Sequence, residues 1–548
     1  MPNVAWERTM QLDLIFTNAI IITMDPSRPT ARSMGILNGR IVGLDADLAG
    51  LTAGEIIDLR GKVVIPGLND AHCHTAWFGL TLGEVDLSEL EDLDQVYACL
   101  RAAAETQADD DGGWLVASGY DHHRFGGQFP DRAALDRVAA GRPLFIRRTS
   151  GHGGIANTEA LRRAGALVDG CPDPVGGRIV RDAAGRPTGL LQETAQALVL
   201  DLLRPYPREV LVTAIDRATS RYASEGITSF TDAGIGGGWI GHAPDELGAF
   251  QDARAAGRLH ARAQLMPAIE TLQSDSKAGL GLGMHSGFGD HMLSLGPVKI
   301  FLDGALSSET AAQTEPYTTG AVNQGYLLDD PVTLQRQMTA AHRAGWSIAA
   351  HAIGDAAIDL AIETFTQLRA LHNGQPSLPH RIEHAAVVRP DQLVALADLG
   401  VAVAPQASFF HPIGDAMAHS LGGRRAAFTY RAKSFLDAGI RLAGSSDRPC
   451  AEGTALRSIQ AYIDRLTSSG VVFGSAAERL SAEEALRVYT VGSAQATGFS
   501  RDKGQLGVGM LADCAVLAES PLEVPTDEIA DIPVLATLLG GRFTHHRL

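Results

Sequence analysis

Two textures of hydrophobic and polar positions divide the chain. Near the N-terminus, DLIFTNAIIITMD, MGILNGRIVGLDAD and EIIDLRGKVVIPG are β-branched runs broken by Asn, Asp and Gly, the pattern of short strands and turns. The C-terminus returns to that texture in GVGMLADCAVLAES and PVLATLLGGRFTHHRL. The expectation is one composite β-sandwich domain built from residues 1–65 and 500–548; two unrelated decorations are the alternative. Between the ends, short apolar runs alternate with Ala-, Leu- and Arg-rich helical stretches, as repeated βα units do. Eight runs read as strands: 62–70, 226–234, 261–268, 296–304, 346–355, 380–388, 400–408 and 440–449. Eight such units predict an α/β fold, a (β/α)8 TIM barrel over 66–499. Residues 75–215, between the first two strands, hold strands and helices of their own, and an insertion of that size reads as a lid or substrate-binding subdomain.

Length and composition narrow the function classes. With 548 residues, the chain is too long for one ordinary core, which agrees with a large barrel plus additions. The 46 Lys+Arg against 63 Asp+Glu leave a net charge of −17, which argues against general nucleic-acid or anionic-membrane binding. Five scattered cysteines without a CxxC fit a reducing compartment. The opening MPNVAWERTM lacks the basic-then-apolar pattern of a signal peptide, and no apolar run has the length of a membrane span. A cytoplasmic protein is expected.

Candidate chemistry gathers at the strand ends. His72 and His74 lie in NDAHCHT at the end of the first strand, two apart and so on one side of an extended segment, where both imidazoles can reach one metal. Cys73 between them then points away. Lys299 lies in VKIFLDG, His351 in IAAHAIGD, His384 in RIEHA and Asp447 in SSDRP, on strands four, five, six and eight. Singly, each has a plainer reading: a buried ion-pair lysine, histidines satisfied by the core, a helix cap or turn aspartate. Four histidines, a lysine and an aspartate at one end of one barrel are much less easily accidental, because that end holds barrel active sites.

These motifs resemble the amidohydrolase superfamily, and within it the YtcJ-like or amidohydrolase-3 group that includes N-substituted formamide deformylases. The likeness runs from about residue 12 to 545 through PGLNDAHCH, SGYDHHRFGG, RTSGHGGIANTEAL, GLLQE, VKIFLDGAL, AHAIGD, RIEHA, SSDRP, GSAQATG and KGQLGVGMLADCAVL. The resemblance implies that His72, His74 and Asp447 bind one metal and His351 and His384 a second, with Lys299 bridging as a CO2-derived carbamate. One metal with a free Lys299 amine is the alternative. The oxygen and imidazole donors suit Zn2+, one or two per chain, with Mn, Fe or Co also possible. The implied reaction is cleavage of a linear non-peptide amide by metal-activated hydroxide, with Asp447 moving the proton and Lys299 at the catalytic centre. A cyclic amidase, a deaminase or a metal-free scaffold are the competing readings. Substrate contacts are expected from His152, Tyr120 and Asp121 in the insertion and from Gln406 and Phe409 after strand seven; His152 as a loop residue binding backbone is an equal alternative. The partners expected are a small-molecule amide and a second copy of the chain in a homodimer.

Overall fold

The computed structural model describes residues 11–106, 113–120, 122, 124–148, 153–168, 170–174, 177–237, 241–272, 283–319, 322–371 and 376–548. They form two compact units: one of residues up to Thr75, Ala218–Gly241 and Phe250–Leu548, the other of Ala76–Arg217 with His242–Ala249.

The first unit contains a barrel of the TIM type. Its parallel strands are β1 (Leu68–Cys73), β2 (Ile227–Ile235), β3 (Arg262–Pro267), β4 (Val298–Phe301), β5 (Ile348–Ala352), β6 (Arg381–His384), β7 (Ala402–Ala404) and β8 (Arg441–Leu442). β1, β2 and β3 pair in order, as do β4 to β8. A short run at Leu293–Leu295 continues from β3, and the chain then steps through Gly296 and Pro297 into β4. The bridge between Ala268 and Lys299 joins β3 to β4. Closure between β1 and the segment after β8 comes from Ala71 N–H to Gly444 O, 2.8 Å, and Asp447 N–H to His72 O, also 2.8 Å. The helices that follow begin and end on local chemistry. Asp330 caps Pro331–Arg343 by accepting from Thr333 N–H, and Gly400, at φ 65°, ends Pro390–Leu399 in the left-handed conformation glycine adopts without strain.

The expected first strand, 62–70, proves to be two strands of two sheets. Val63–Pro66 belongs to a six-stranded sheet in the order Arg542–His546, Val534–Leu539, Cys514–Leu517, Val63–Pro66, Ile20–Ile22, Thr30–Ala31. Only from Leu68 does the chain enter the barrel. Gly67 makes the handover because a Cβ there would lie 2.0 Å from Thr228 Oγ1. A four-stranded sheet, in the order Arg40–Leu44, Met34–Leu37, Gln11–Thr17, Thr52–Asp58, shares one apolar core with the six-stranded sheet. Strands from both termini thus meet in one sheet, with Cys514 opposite Pro66.

The second unit has a six-stranded mixed sheet in the order Gly177–Arg181, Pro187–Glu193, Gly153–Ala156, Leu144–Arg148, Leu115–Tyr120, Val85–Asp86. Two apolar clusters hold it together. One centres on Leu100, Leu115, Leu135 and Ile146, the other on Trp114, Phe145, Leu161 and Val199. Among the described residues no helix is long and apolar enough to cross a membrane, and all five cysteines are free.

Candidate metal centre

β1 delivers His72 and His74 to the C-terminal end of the barrel, and the turn after β8 delivers Asp447. One ligand atom from each of these three buried residues lies within 4.8 Å of the others. Asp447 Oδ1 is 2.9 Å from His74 Nε2 and 3.3 Å from His72 Nε2. Cys73 turns away: its Sγ lies 3.5 Å from both Thr75 Oγ1 and the Thr231 carbonyl.

The other expected groups surround this trio. The His384 ring is 5.0 Å from that of His72 and 4.3 Å from that of His351. Lys299 is buried, with its ammonium 4.7 Å from the centre of the Phe301 ring. His72 Nε2, Lys299 Nζ and His351 Nδ1 are buried without a hydrogen-bond partner among the described residues. Orphaned polar atoms converging in one place are costly unless something fills the space between them, and imidazole nitrogens facing a carboxylate are the donor set of a divalent ion. The residues therefore fit a metal.

Electrostatics agrees. Burial pushes His74 down, His351 well down and His384 to about 3, with neighbouring cationic groups adding to the effect. All three rings stay neutral at physiological pH, with lone pairs for a metal. Burial also lowers Lys299 to about 8, so a neutral amine is accessible. Burial works against ionisation of Asp447, yet the facing imidazoles of His72 and His74 outweigh it and hold the carboxyl well below its usual range.

A layer of residues behind the ligands holds them, and the sequence pattern pointed to little of it. His72 Nδ1 donates to Glu383 Oε2, and Arg381 grips the same carboxylate through Nε to Oε1, 2.8 Å, and Nη2 to Oε2, 2.9 Å. Gln406, expected to face substrate, instead accepts from His384 Nδ1 through Oε1 at 2.8 Å, while its Nε2 donates to the Ala404 carbonyl and Ser445 Oγ. With both ends of its amide engaged, it holds a ring rather than a ligand. His351 Nε2 donates to the Gly304 carbonyl at 3.0 Å. Asp303 accepts from the backbone N–H groups of Ala312, Ile353 and Gly354, and its burial raises it to about 7. Asp70 ties β1 to the turn after β8 through Ser446.

Backbone geometry explains how neighbouring residues share this space. His384 and Asp447 have φ of 70° and 57°, a region non-glycine residues seldom occupy. Strict alternation would send Glu383 and His384 to opposite faces, and the left-handed turn at His384 brings both to His72.

The remaining candidates fall elsewhere. Tyr120 is wholly buried in the second unit, stacked on Phe125, and its hydroxyl donates to the Gln128 carbonyl, so it packs a core instead of meeting substrate. Phe409 is nearly buried in the turn Ala407–Phe409 after β7. Asp121 and His152 lie outside the described residues.

A barrel with a candidate metal site at its C-terminal end defines a metal-dependent hydrolase of the amidohydrolase type. The model of the amidohydrolase family matches residues 55–545, and the chain belongs to that family. It is 32% identical to Protein LONG AFTER FAR-RED 3 of Arabidopsis thaliana over 97% of this chain and 91% of that one. It is 28% identical to the N-substituted formamide deformylase of Arthrobacter pascens, with 98% and 99% covered. Among solved structures it is similar to an uncharacterised metal-dependent hydrolase from Pyrococcus horikoshii OT3, with TM-score 0.77, 25% identity, and 94% and 99% of the two chains covered. The protein is thus a hydrolase acting on carbon–nitrogen bonds.

Proposed function

We propose that this hydrolase cleaves a linear non-peptide amide, an N-substituted formamide or an N-acyl amine, to a carboxylic acid and an amine. The observation that carries the reading is the meeting of His72, His74 and Asp447 beside Lys299, His351 and His384 at the C-terminal end of the barrel. Similarity along nearly the whole chain to a formamide deformylase supports the choice of substrate class.

His72, His74 and Asp447 would hold one divalent ion, zinc on this donor set, and His351 and His384 a second, with a Lys299 carbamate between them. Such ions supply Lewis acidity that activates water and polarises a carbonyl oxygen. The rest falls to the chain. The neutral imidazoles keep their lone pairs available, and Gln406 and Gly304 fix the rings of His384 and His351. Lys299, lowered to about 8, can offer the neutral amine that adds to CO2. The Asp447 carboxylate accepts a proton from the attacking water and returns it to the departing nitrogen. As water oxygen bonds to the acyl carbon, the carbon–nitrogen bond breaks and the amine leaves protonated. The reading includes a homodimer, which light scattering checks directly.

The test is elemental analysis of wild type and Lys299→Ala purified without chelator, with amine release measured from formamides, N-acyl amines and cyclic amides. Near two metals per chain, fewer in the variant, and turnover of a linear amide are expected. Turnover confined to cyclic amides would replace the substrate class, and absence of metal after growth with added zinc would overturn the reading.

A further inference from the structure

Three of the four histidines at the centre have a visible partner behind the ring, and those partners differ. His384 is backed by the neutral amide of Gln406 and His351 by the carbonyl of Gly304. Of these three only His72 has a side-chain carboxylate at hydrogen-bond distance, Glu383, itself clamped by Arg381; the Asp303 carboxylate stands farther from His351 Nε2, at 3.7 Å. Arg381 is further anchored, donating from Nη2 to the Ala71 carbonyl at 2.8 Å, one residue before His72. Both Arg381 and Glu383 are wholly buried.

Taking a carboxylate and a guanidinium out of water is expensive, and an apolar pair of similar size would often serve stability as well or better. The pair is placed where it acts on one ring: Glu383 accepts the hydrogen bond of His72 Nδ1–H, which fixes the tautomer and leaves Nε2 facing Asp447. A carboxylate behind an imidazole also makes the opposite nitrogen a stronger donor. Arg381 fixes the Glu383 oxygens and balances their charge, so the proton stays on Nδ1.

We infer that Glu383, held by Arg381, is the positioning residue that orients His72 and gives the His72–His74–Asp447 position its metal affinity, making that position the tighter of the two. The inference rests on the metal-dependent reading of the site. It assigns Glu383 no contact with substrate, because it acts through the His72 ring.

The experiment measures zinc affinity by chelator competition on metal-stripped full-length protein, beside the thermal stability of the same metal-free samples. Wild type should release zinc in two steps, and Glu383→Gln should weaken the tighter step by about 10- to 100-fold, the size of effect seen when an outer partner of a ligand is lost. In a His72→Ala background the same change should alter affinity less than about threefold, since the ring that transmits it is gone. If Glu383→Gln folds poorly, Arg381→Lys keeps the charge but not the two-pronged grip and should weaken the tighter step several-fold. Unchanged affinity in Glu383→Gln, or an equal loss with and without His72, would overturn the inference while leaving the metal site standing. Wild type that binds no zinc would sink the functional reading itself, and this inference with it.

Discussion

The apolar core shared by the two terminal sheets and the C-terminal end of the barrel are both buried, and they are built on opposite principles. Leu14, Phe16, Ile21, Ile36, Val516 and Leu538 bring no polar side chain to the first, so burial there is almost wholly favourable. The second buries His72, Lys299, His351, His384 and Asp447, and several of their polar atoms have no hydrogen-bond partner among the described residues. Each such atom costs about 1–3 kcal/mol in the absence of a compensating contact. The barrel end is therefore stabilised by its surroundings and by what it binds, whereas the terminal core is stabilised by itself. Stability and activity should be separable by mutation.

The largest expected effect is at the site. Asp447→Asn removes the proton-accepting charge and should lower kcat/KM by roughly 10²- to 10⁴-fold. Asn keeps the size of the side chain and an accepting oxygen, so the metal-free protein should still melt close to wild type. A metal-free variant that melted far below wild type would break the comparison, since the carboxylate would then be structural.

The counterpart is Leu538→Ala in the terminal core. Truncating a buried leucine costs about 2–5 kcal/mol, depending on how far the cavity collapses. Denaturant titration should show that loss, while metal content and kcat/KM of the folded fraction stay as in wild type. Loss of metal would mean that the two regions are coupled through the shared strand passage at Gly67.

How much of this was legible in the sequence differs between the same two regions. That these side chains gather at one end of the barrel could be read because strand alternation and position at strand ends are local properties: His72 and His74 two apart, and Lys299, His351, His384 and Asp447 near the ends of apolar runs. The texture of the termini likewise indicated strands. What the pattern did not carry was pairing over long separations. Val63–Pro66 and Leu68–Cys73 read as one apolar run because both are buried, and only Thr228, 161 positions beyond Gly67, forces the break there. Glu383 was hidden for a different reason. Alternation puts it on the face opposite His384, and the left-handed φ of His384 that overrides this leaves no mark in RIEHA. The partners of Gln406 and Tyr120 were not legible either, because a polar group near a strand end serves a neighbouring ring or carbonyl as readily as a ligand.

A third prediction moves to a half-buried histidine away from the candidate metal ligands. His380 accepts from Ile348 N–H through Nδ1, shares a hydrogen bond with His342 at 3.1 Å, and stacks on Phe365. Burial and the neighbouring His342 press it down to about 3. Its pKa is lower folded than unfolded, so the unfolded chain binds the extra proton between about 3 and 6.5. Its contribution to stability is complete above about 6.5 and is lost as pH falls through that window, by up to ~1.4 kcal/mol per pH unit. In His380→Asn the fall in stability between pH 6.5 and 5 should be shallower than in wild type, with or without zinc. A slope that changed only when zinc was present would assign the titration to the metal centre.

The smallest effect expected sharpens the comparison most locally. Asp330 caps the helix Pro331–Arg343, accepting from Thr333 N–H at 3.1 Å, and the chain just before it returns to β4 through Leu328 N–H to the Leu302 carbonyl at 2.9 Å. This helix follows β4, so its cap stands at the end of the barrel that carries Lys299 and yet is exposed. Asp330→Ala should cost about 1 kcal/mol, the usual loss for a helix cap, because one backbone N–H is left to water. Activity should stay within twofold, since Lys299 is placed by the pairing of β4 with β5 and by the bridge to Ala268, neither of which involves the cap. A tenfold fall in kcat/KM would show that the loop between Leu302 and Asp330 transmits strain to the lysine, and the barrel end would then depend on its connections as well as on its strands.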